Sequence, residues 1–398
     1  MKNDWEIKKL GEVCEINIGR TPERGNFKMW DKEKKTDNVW LSIADLNNTE
    51  KGYISDSTEY VSDNAVPKMK LVKANTLLMS FKLTIGRCAI TKRDLFTNEA
   101  IAALPILDKN LDLFFLKYYL ENFDWAKLTE GDVKVKGKTL NKEKLKEVPI
   151  TLPPLEEQKR IVKILDEKLA MLETVKANAK ANLQNAKDLF QSQLTKAFSN
   201  TTWEKKVLLK DIAKDFSRGK SKHRPRNDKC LFGGNYPFIQ TGDIRNTEKY
   251  ITEYVDTYNE TGLAQSKLWP EGTLCITIAA NIAETAILTF PCCFPDSVIG
   301  FVPNEDITTA DYVFYLLQFF KAELQVLGKG AAQDNINLGT FEKMEFPLPP
   351  LPEQKHIVEQ LDSLSEKTKA LQNIYKKILL DCDELKQALL AKAFAGEL

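Results

Sequence analysis

The densest chemistry in this chain lies in nine residues, Arg218-Gly219-Lys220-Ser221-Lys222-His223-Arg224-Pro225-Arg226. Five cations occupy alternate positions and no carboxylate intervenes. Alternate side chains of an extended strand share one side, so the five would form a comb suited to successive phosphates or a groove edge, with arginine also able to grip guanine through two N–H groups. A solvated charged loop is the plainer account of most basic runs; here the density and alternation favour a polyanion, and His223 falls where a phosphate or base contact is expected. A second comb, Lys134, Lys136 and Lys138, lies within residues 131–141. Its place in the other half is taken by Gly328-Lys329-Gly330-Ala331-Ala332-Gln333-Asp334-Asn335-Ile336-Asn337, where Lys329 and Gln333 are the candidate contacts. The same location with different polar side chains fits a reading loop whose target has changed. Further candidates are Arg20 and Arg24 beside Gly19, Lys82 and Arg87 in the turn around Gly86, and Arg245 after Gly242. Each of these, taken alone, is as readily surface decoration.

Catalytic motifs fail where they are sought. Gly137-Lys138-Thr139 and Gly219-Lys220-Ser221 end like phosphate-binding loops, but the first glycine such a loop requires is Asp132 in one and Lys214 in the other. The Pro-Pro pairs at 153 and 349 follow Leu, whereas DNA amino-methyltransferases carry Asn or Asp there. Only two histidines exist, His223 and His356, and the seven cysteines show no paired CxxC spacing. Neither a metal site nor a disulfide framework is implied, and a complete catalytic constellation is hard to assemble. The chain reads as a non-catalytic binder that directs chemistry done elsewhere, with no cofactor of its own.

Those residues must be held by something, and the sequence supplies it twice. Leu152-Pro153-Pro154-Leu155-Glu156-Glu157-Gln158-Lys159-Arg160-Ile161-Val162 returns as Leu348-Pro349-Pro350-Leu351-Pro352-Glu353-Gln354-Lys355-His356-Ile357-Val358, a shift of 196 residues. The shift persists where Leu194-Thr195-Lys196-Ala197-Phe198 matches Leu390-Ala391-Lys392-Ala393-Phe394. Weaker matches pair Trp5-Glu6 with Trp203-Glu204 and residues 40–47 with 238–245. Two near-identical connectors and two diverged globular domains therefore follow, with boundaries at 1–153, 154–200, 201–349 and 350–398.

From Glu156 to Phe198 there is neither Pro nor Gly, and apolar residues recur at three- and four-residue steps (Ile161, Leu165, Leu169, Leu172, Val175, Ala179). That pattern is a long helix with a coiled-coil-like stripe. The prolines suit its first turn and Glu156 and Glu157 complement its positive end. A second helix runs from Glu353 to Ala395. Each stripe needs a partner, and the nearest is the other helix packed antiparallel, which implies an internal pseudo-two-fold. A helix of 43 residues would be about 64 Å long, a ruler for separated half-sites on one duplex. The domains read as mixed α/β, with strands expected near Val39–Ile43, Thr76–Phe81, Thr84–Thr91 and Ala100–Leu104 and a helix near Leu111–Phe123. The second domain repeats this at Pro237–Gln240, Thr273–Ile278, Thr285–Phe290, Val298–Val302 and Thr309–Leu327.

Charge is nearly balanced: 26 Lys+Arg against 23 Asp+Glu over residues 1–153, and 16 against 19 over 201–350. Any polyanion site must therefore be focused locally. The opening Met1-Lys2-Asn3-Asp4-Trp5 has no apolar signal core and no run reaches bilayer-spanning length, so a reduced, cytoplasmic, membrane-free setting is expected.

Two variable domains, each followed by Leu-Pro-Pro-Leu-x-Glu-Gln-Lys-x-Ile-Val and a long helix, resemble the specificity subunit of type I restriction-modification enzymes over essentially the whole chain. The resemblance implies that each domain is a target recognition domain reading one half of an interrupted double-stranded DNA sequence. It also implies an antiparallel coiled coil that sets the gap and docks two modification subunits. S-adenosylmethionine would then sit on those subunits, and ATP and magnesium on added restriction subunits. The exposed helix faces, including Gln158, Lys159, Gln354 and Lys355, become candidate partner surfaces. The alternative is a tandem-repeat scaffold that joins proteins through its helices and has no DNA role; the basic combs favour the first.

Overall fold

The computed structural model describes residues 5–49, 52–128, 133–134, 137–138, 140–199, 203, 205–279, 282–329, 338–341 and 343–398. It divides into two compact units, Met1–Ala179 with Lys377–Leu398, and Lys180–Lys376. Each holds one α/β domain and half of each long helix, Leu155–Phe198 and Leu351–Ala395.

In the first unit a five-stranded sheet runs in the order Asn17–Ile18, Ile101–Leu104, Leu77–Ser80, Cys88–Thr91, Tyr53–Ile54. Its middle strands are buried on both faces. Strand alternation explains why they carry no polar face: Leu77 and Met79 enter one core with the helix Leu113–Asn122, while Leu78 enters another with Val39 and Leu41. Asp112 starts that helix by accepting from the N–H groups of Phe114 and Phe115, an N-cap. A smaller sheet orders Glu59–Tyr60, Val39–Leu41 and Phe96–Thr97.

The second unit repeats this topology. Its five-stranded sheet is ordered Ala213–Arg218, Val298–Pro303, Leu274–Thr277, Thr285–Leu288, Tyr250–Ile251. In both large sheets the last pair is parallel and the others antiparallel. The smaller sheet gains a strand, running Asp256–Tyr258, Phe232–Phe238, Cys292–Cys293, Leu268–Trp269. Residues 84–87, expected as strand, form the turn before Cys88–Thr91, with Gly86 at φ +87° against the Trp125 indole.

The expectation missed how each domain is closed. Glu6–Lys9 pairs antiparallel with Pro149–Leu152, and Lys206–Val207 with Phe346–Pro347. The outgoing strand leads straight through the Pro-Pro pair into a long helix, so the helix starts from a clamped point.

Within the first unit the two long helices run antiparallel: Arg160 donates to the Leu398 carbonyl oxygen at 2.7 Å and Lys176 pairs with Asp383 at 2.7 Å. Ile161, Leu165, Leu390 and Ala393 share its core. Leu194, Phe198, Ile357 and Leu361 do the same in the second unit. The repeated phenylalanines close the helix ends, Phe394 against Phe115 and Tyr119 and Phe198 against Tyr312 and Phe319. Burying such a side chain fully stabilises by about 1.5–3 kcal/mol, which applies to Phe198 and exceeds the share of the partly buried Phe394.

Candidate nucleic-acid interface and helix anchors

The comb begins at the end of Ala213–Arg218, where Gly219 donates its N–H to the Val298 carbonyl oxygen at 2.8 Å. A Cβ there would stand 2.4 Å from the carbonyl oxygens of Phe294 and Pro295, so only glycine fits. Gly19 is equally confined, with Thr97 atoms 2.2 Å from a would-be Cβ. Gly219-Lys220-Ser221 and Gly19-Arg20-Thr21 are thus close-packed exits from a strand.

Lys220 and Lys222 are exposed on either side of buried Ser221, as alternation requires. Beyond Lys222 the segment bends, and the expectation of five free cations on one side is corrected. Carboxylates absent from the run arrive from elsewhere in the fold. Asp296 pairs with Arg226 at 2.6 Å and approaches Arg224 at 3.8 Å, and its carbonyl oxygen accepts from Arg218 Nε at 2.7 Å. Arg224 also donates to the carbonyl oxygens of Ser221 and His223. Lys220 and Lys222 show no ion pair among the described residues, so they carry the comb's free charge.

His223 bonds Asp228 at 3.0 Å, and Cys230 Sγ lies 4.0 Å from the same imidazole nitrogen. The Asp228 carboxyl is held down at about 2, first by the Cys230 backbone N–H and then by His223. These three side chains bring potential metal-ligand atoms within 4.8 Å of one another, a grouping that a search for CxxC pairs passes over.

In the first domain Arg24 is occupied internally. It pairs with Glu59 and lies over the rings of Trp30 and Trp40, 4.3 and 4.7 Å from their centroids. Arg20 is exposed and donates to the Lys68 carbonyl oxygen at 3.2 Å. Lys82 lies 5.4 Å from the Phe81 ring centroid, and Arg87 and Arg245 are exposed. Lys134 and Lys138 fall on opposite strands of a short hairpin, Val133–Lys134 with Gly137–Lys138, which replaces the single extended comb expected. Their side chains, with those of Lys136, Lys329 and Gln333, lie outside the described residues.

The second correction concerns the connector. Gln158 and Gln354, expected on exposed partner faces, are fully buried, while Lys159 and Lys355 are exposed. Gln158 accepts from the Asp112 N–H at 2.8 Å and donates to the carbonyl oxygens of Asn110 and Pro153, each at 2.8 Å. Gln354 accepts from Thr308 Oγ1 and donates to the carbonyl oxygens of Ile307 and Pro349, each bond at 2.9 Å. A carboxamide joins donor and acceptor in one plane, so a single residue pins the domain loop to the helix start in each copy. A further repeated tie runs from Tyr118 to Asp166 and from Tyr315 to Asp362, each at 2.5 Å. Burial first, then the facing carboxylate, raises both phenols above their ordinary range.

A doubled α/β domain, clamped by a buried glutamine onto an antiparallel helix pair and bearing a basic loop, is the architecture of a bipartite recognition protein. The sequence matches the type I restriction modification DNA specificity domain twice, over residues 2–184 and 200–380, and the chain belongs to that family. Among its relatives is a protein of Methanocaldococcus jannaschii named for the MjaX type I restriction enzyme specificity subunit, 25% identical over 91% of this chain and 87% of that protein. The MjaIX type I restriction enzyme specificity subunit of the same organism is 24% identical over 99% and 94%. A solved chain from work on assembly and conformational transition of the type I restriction-modification system shares the fold, with a TM-score of 0.79 at 20% identity and coverage of 99% and 98%. The HsdS subunit from Thermoanaerobacter tengcongensis follows at a TM-score of 0.61, 19% identity and coverage of 99% and 97%. This family membership favours the DNA-specificity reading over the protein scaffold. Among the described residues no helix is long and apolar enough to cross a membrane.

Proposed function

We propose that each domain reads one half of an interrupted DNA target, and that the helix pair fixes the gap between the halves and docks two methyltransferase subunits. The observation that carries this is the pattern of sameness and difference between the copies. Clamp, glutamine pin and helix are repeated, whereas the loops bearing the cations differ. Repetition of the mount with divergence of the reader is what two different half-sites on one ruler require.

Lys220 and Lys222 serve as phosphate contacts, with Arg218, Arg224, Arg226 and His223 shaping the loop around them; Arg20, Lys82, Arg87, Arg245 and the hairpin 133–138 are the remaining contacts to test. Lys159 and Lys355 lie on the candidate methyltransferase-facing surface. S-adenosylmethionine belongs to that partner, and ATP with magnesium to a restriction partner, in the cytoplasm. The test is methylation mapping by single-molecule sequencing in cells holding this chain with its genomic methyltransferase neighbour, against cells lacking this chain. A methylated two-part motif that vanishes without the chain is expected. A neighbour that methylates the same motif alone would overturn the proposal.

A further inference from the structure

The second unit contains a cavity of about 350 Å³ directly beside the comb, at the small end of the range of about 300–1,000 Å³ typical of ligand pockets. Its walls are aromatic: Phe238 and Tyr258 stack at 4.1 Å, and Phe232 meets Tyr258 edge-on at 5.1 Å. Arg226, Asn227 and Gln240 also line it. Asn227 and Gln240 each bring an amide donor and acceptor to the lining, the group types that pair with a base edge, and the Gln240 amide also donates to Asp256 at 3.3 Å. Arg226 is steadied by Asp296 at 2.6 Å. Among the described residues the buried Tyr258 hydroxyl has no hydrogen-bond partner, and burial pushes its pKa up.

We propose that this cavity seats one nucleobase of the second domain's half-site, rotated out of the duplex. The inference rests on the reading that this domain binds DNA. Phe238 is 6% exposed, Tyr258 is fully buried with the Phe238 ring stacked on it, and Phe232 is half-buried, so the aromatic surface open to a base is that of Phe232 and Phe238, and it lies recessed. A base still in its stack presents only an edge to a protein and cannot lay its face on a recessed ring; an extruded base can, and pockets for such bases combine aromatic stacking with polar groups at the pairing edge. The free charge of Lys220 and Lys222 stands where the flanking phosphates would be held.

The first domain supplies an internal contrast. Trp40, at the repeat position of Phe238, has its ring covered by the Arg24 guanidinium at 4.7 Å. The cavity after Gly19, about 220 Å³, has no aromatic residue in its lining. Extrusion is therefore assigned to the second half-site.

The experiment uses the complex of this chain with its methyltransferase partner and duplexes carrying the mapped motif. At each position of both half-sites in turn, the base opposite is replaced to create a mispair, and affinity is measured by competition. Unpairing in advance removes part of the cost of extrusion, so one position in the second half-site, distinct from the methylated adenine, should bind about 5- to 50-fold tighter as a mispair. That gain should shrink at least about threefold in Phe238→Leu, which keeps an apolar core residue but loses the ring, and in the rim variant Gln240→Ala. Gain confined to the methylated adenine, or gain unchanged in both variants, overturns the cavity assignment while leaving half-site reading intact. Absence of any chain-dependent motif overturns the underlying reading instead.

Discussion

At the scale of single residues, the most informative side chains are two glutamines that touch no solvent. Replacing Gln158 by Ala would take the partner from the half-buried Asp112 N–H, from the Asn110 carbonyl oxygen and from the buried Pro153 carbonyl oxygen. Orphaned buried groups cost about 1–3 kcal/mol each, so Gln158→Ala should lower unfolding free energy by at least about 2 kcal/mol in urea titrations. The adjacent Lys159→Ala, exposed and paired with Glu156 alone among the described residues, should stay within about 0.5 kcal/mol. Equal effects of the two would remove the pin. The comb yields a different measurement. Because the side chains of Lys220 and Lys222 have neither a carboxylate nor a carbonyl partner among the described residues, whereas Arg218 is tied to a carbonyl oxygen and Arg224 and Arg226 approach Asp296, their double Ala variant should flatten the log–log salt dependence of duplex binding by about 1–2 units. Arg224→Ala, already bonded to two carbonyl oxygens, should flatten it less; the reverse order would show that the arginines leave their internal partners on DNA.

At the scale of elements, the long helices do two jobs that separate along their length. Their starts are clamped by a strand pair and a glutamine, while in their middles several apolar side chains, among them Met171, Val175, Leu371 and Ile374, are exposed. Lengthening is therefore least disruptive near Lys180, where the two units divide. Four added residues there, matched by four after Lys376 to keep the pair in step, add about 6 Å of helix, or close to two base pairs at about 3.4 Å each. The mapped motif should keep its bases and widen its gap, which methylation sequencing reads directly. An unchanged gap would mean that the helices do not set the spacing.

At the scale of the molecule, each domain carries its own two larger sheets and its own cores, so recognition by one does not require the other's interior. Exchanging residues 201–347 for the second domain of another family member should replace one half of the motif and keep the other. The exchange point falls between the closing strand Phe346–Pro347 and the glutamine pin, so some loss of stability at that seam is expected; loss of both half-sites would show that the domains do not read independently.

The sequence by itself determined the duplication, the long helices, the α/β domains and the family, because repeats and hydrophobic periodicity are properties of one chain read in order. It also showed that cations concentrate at residues 218–226. Which of those cations remain free was decided only by tertiary structure, since Asp296 is 70 residues from Arg226 along the chain and 2.6 Å away in space. The same holds for the glutamines. A polar residue in a charged helical turn reads as solvent-facing until the loop that buries it is in place, and for Gln158 that loop lies 46 to 48 residues upstream. The aromatic cavity was invisible for this reason too: its rings come from separate strands, and only the pairing of Phe232–Phe238 with Asp256–Tyr258 sets them face to face.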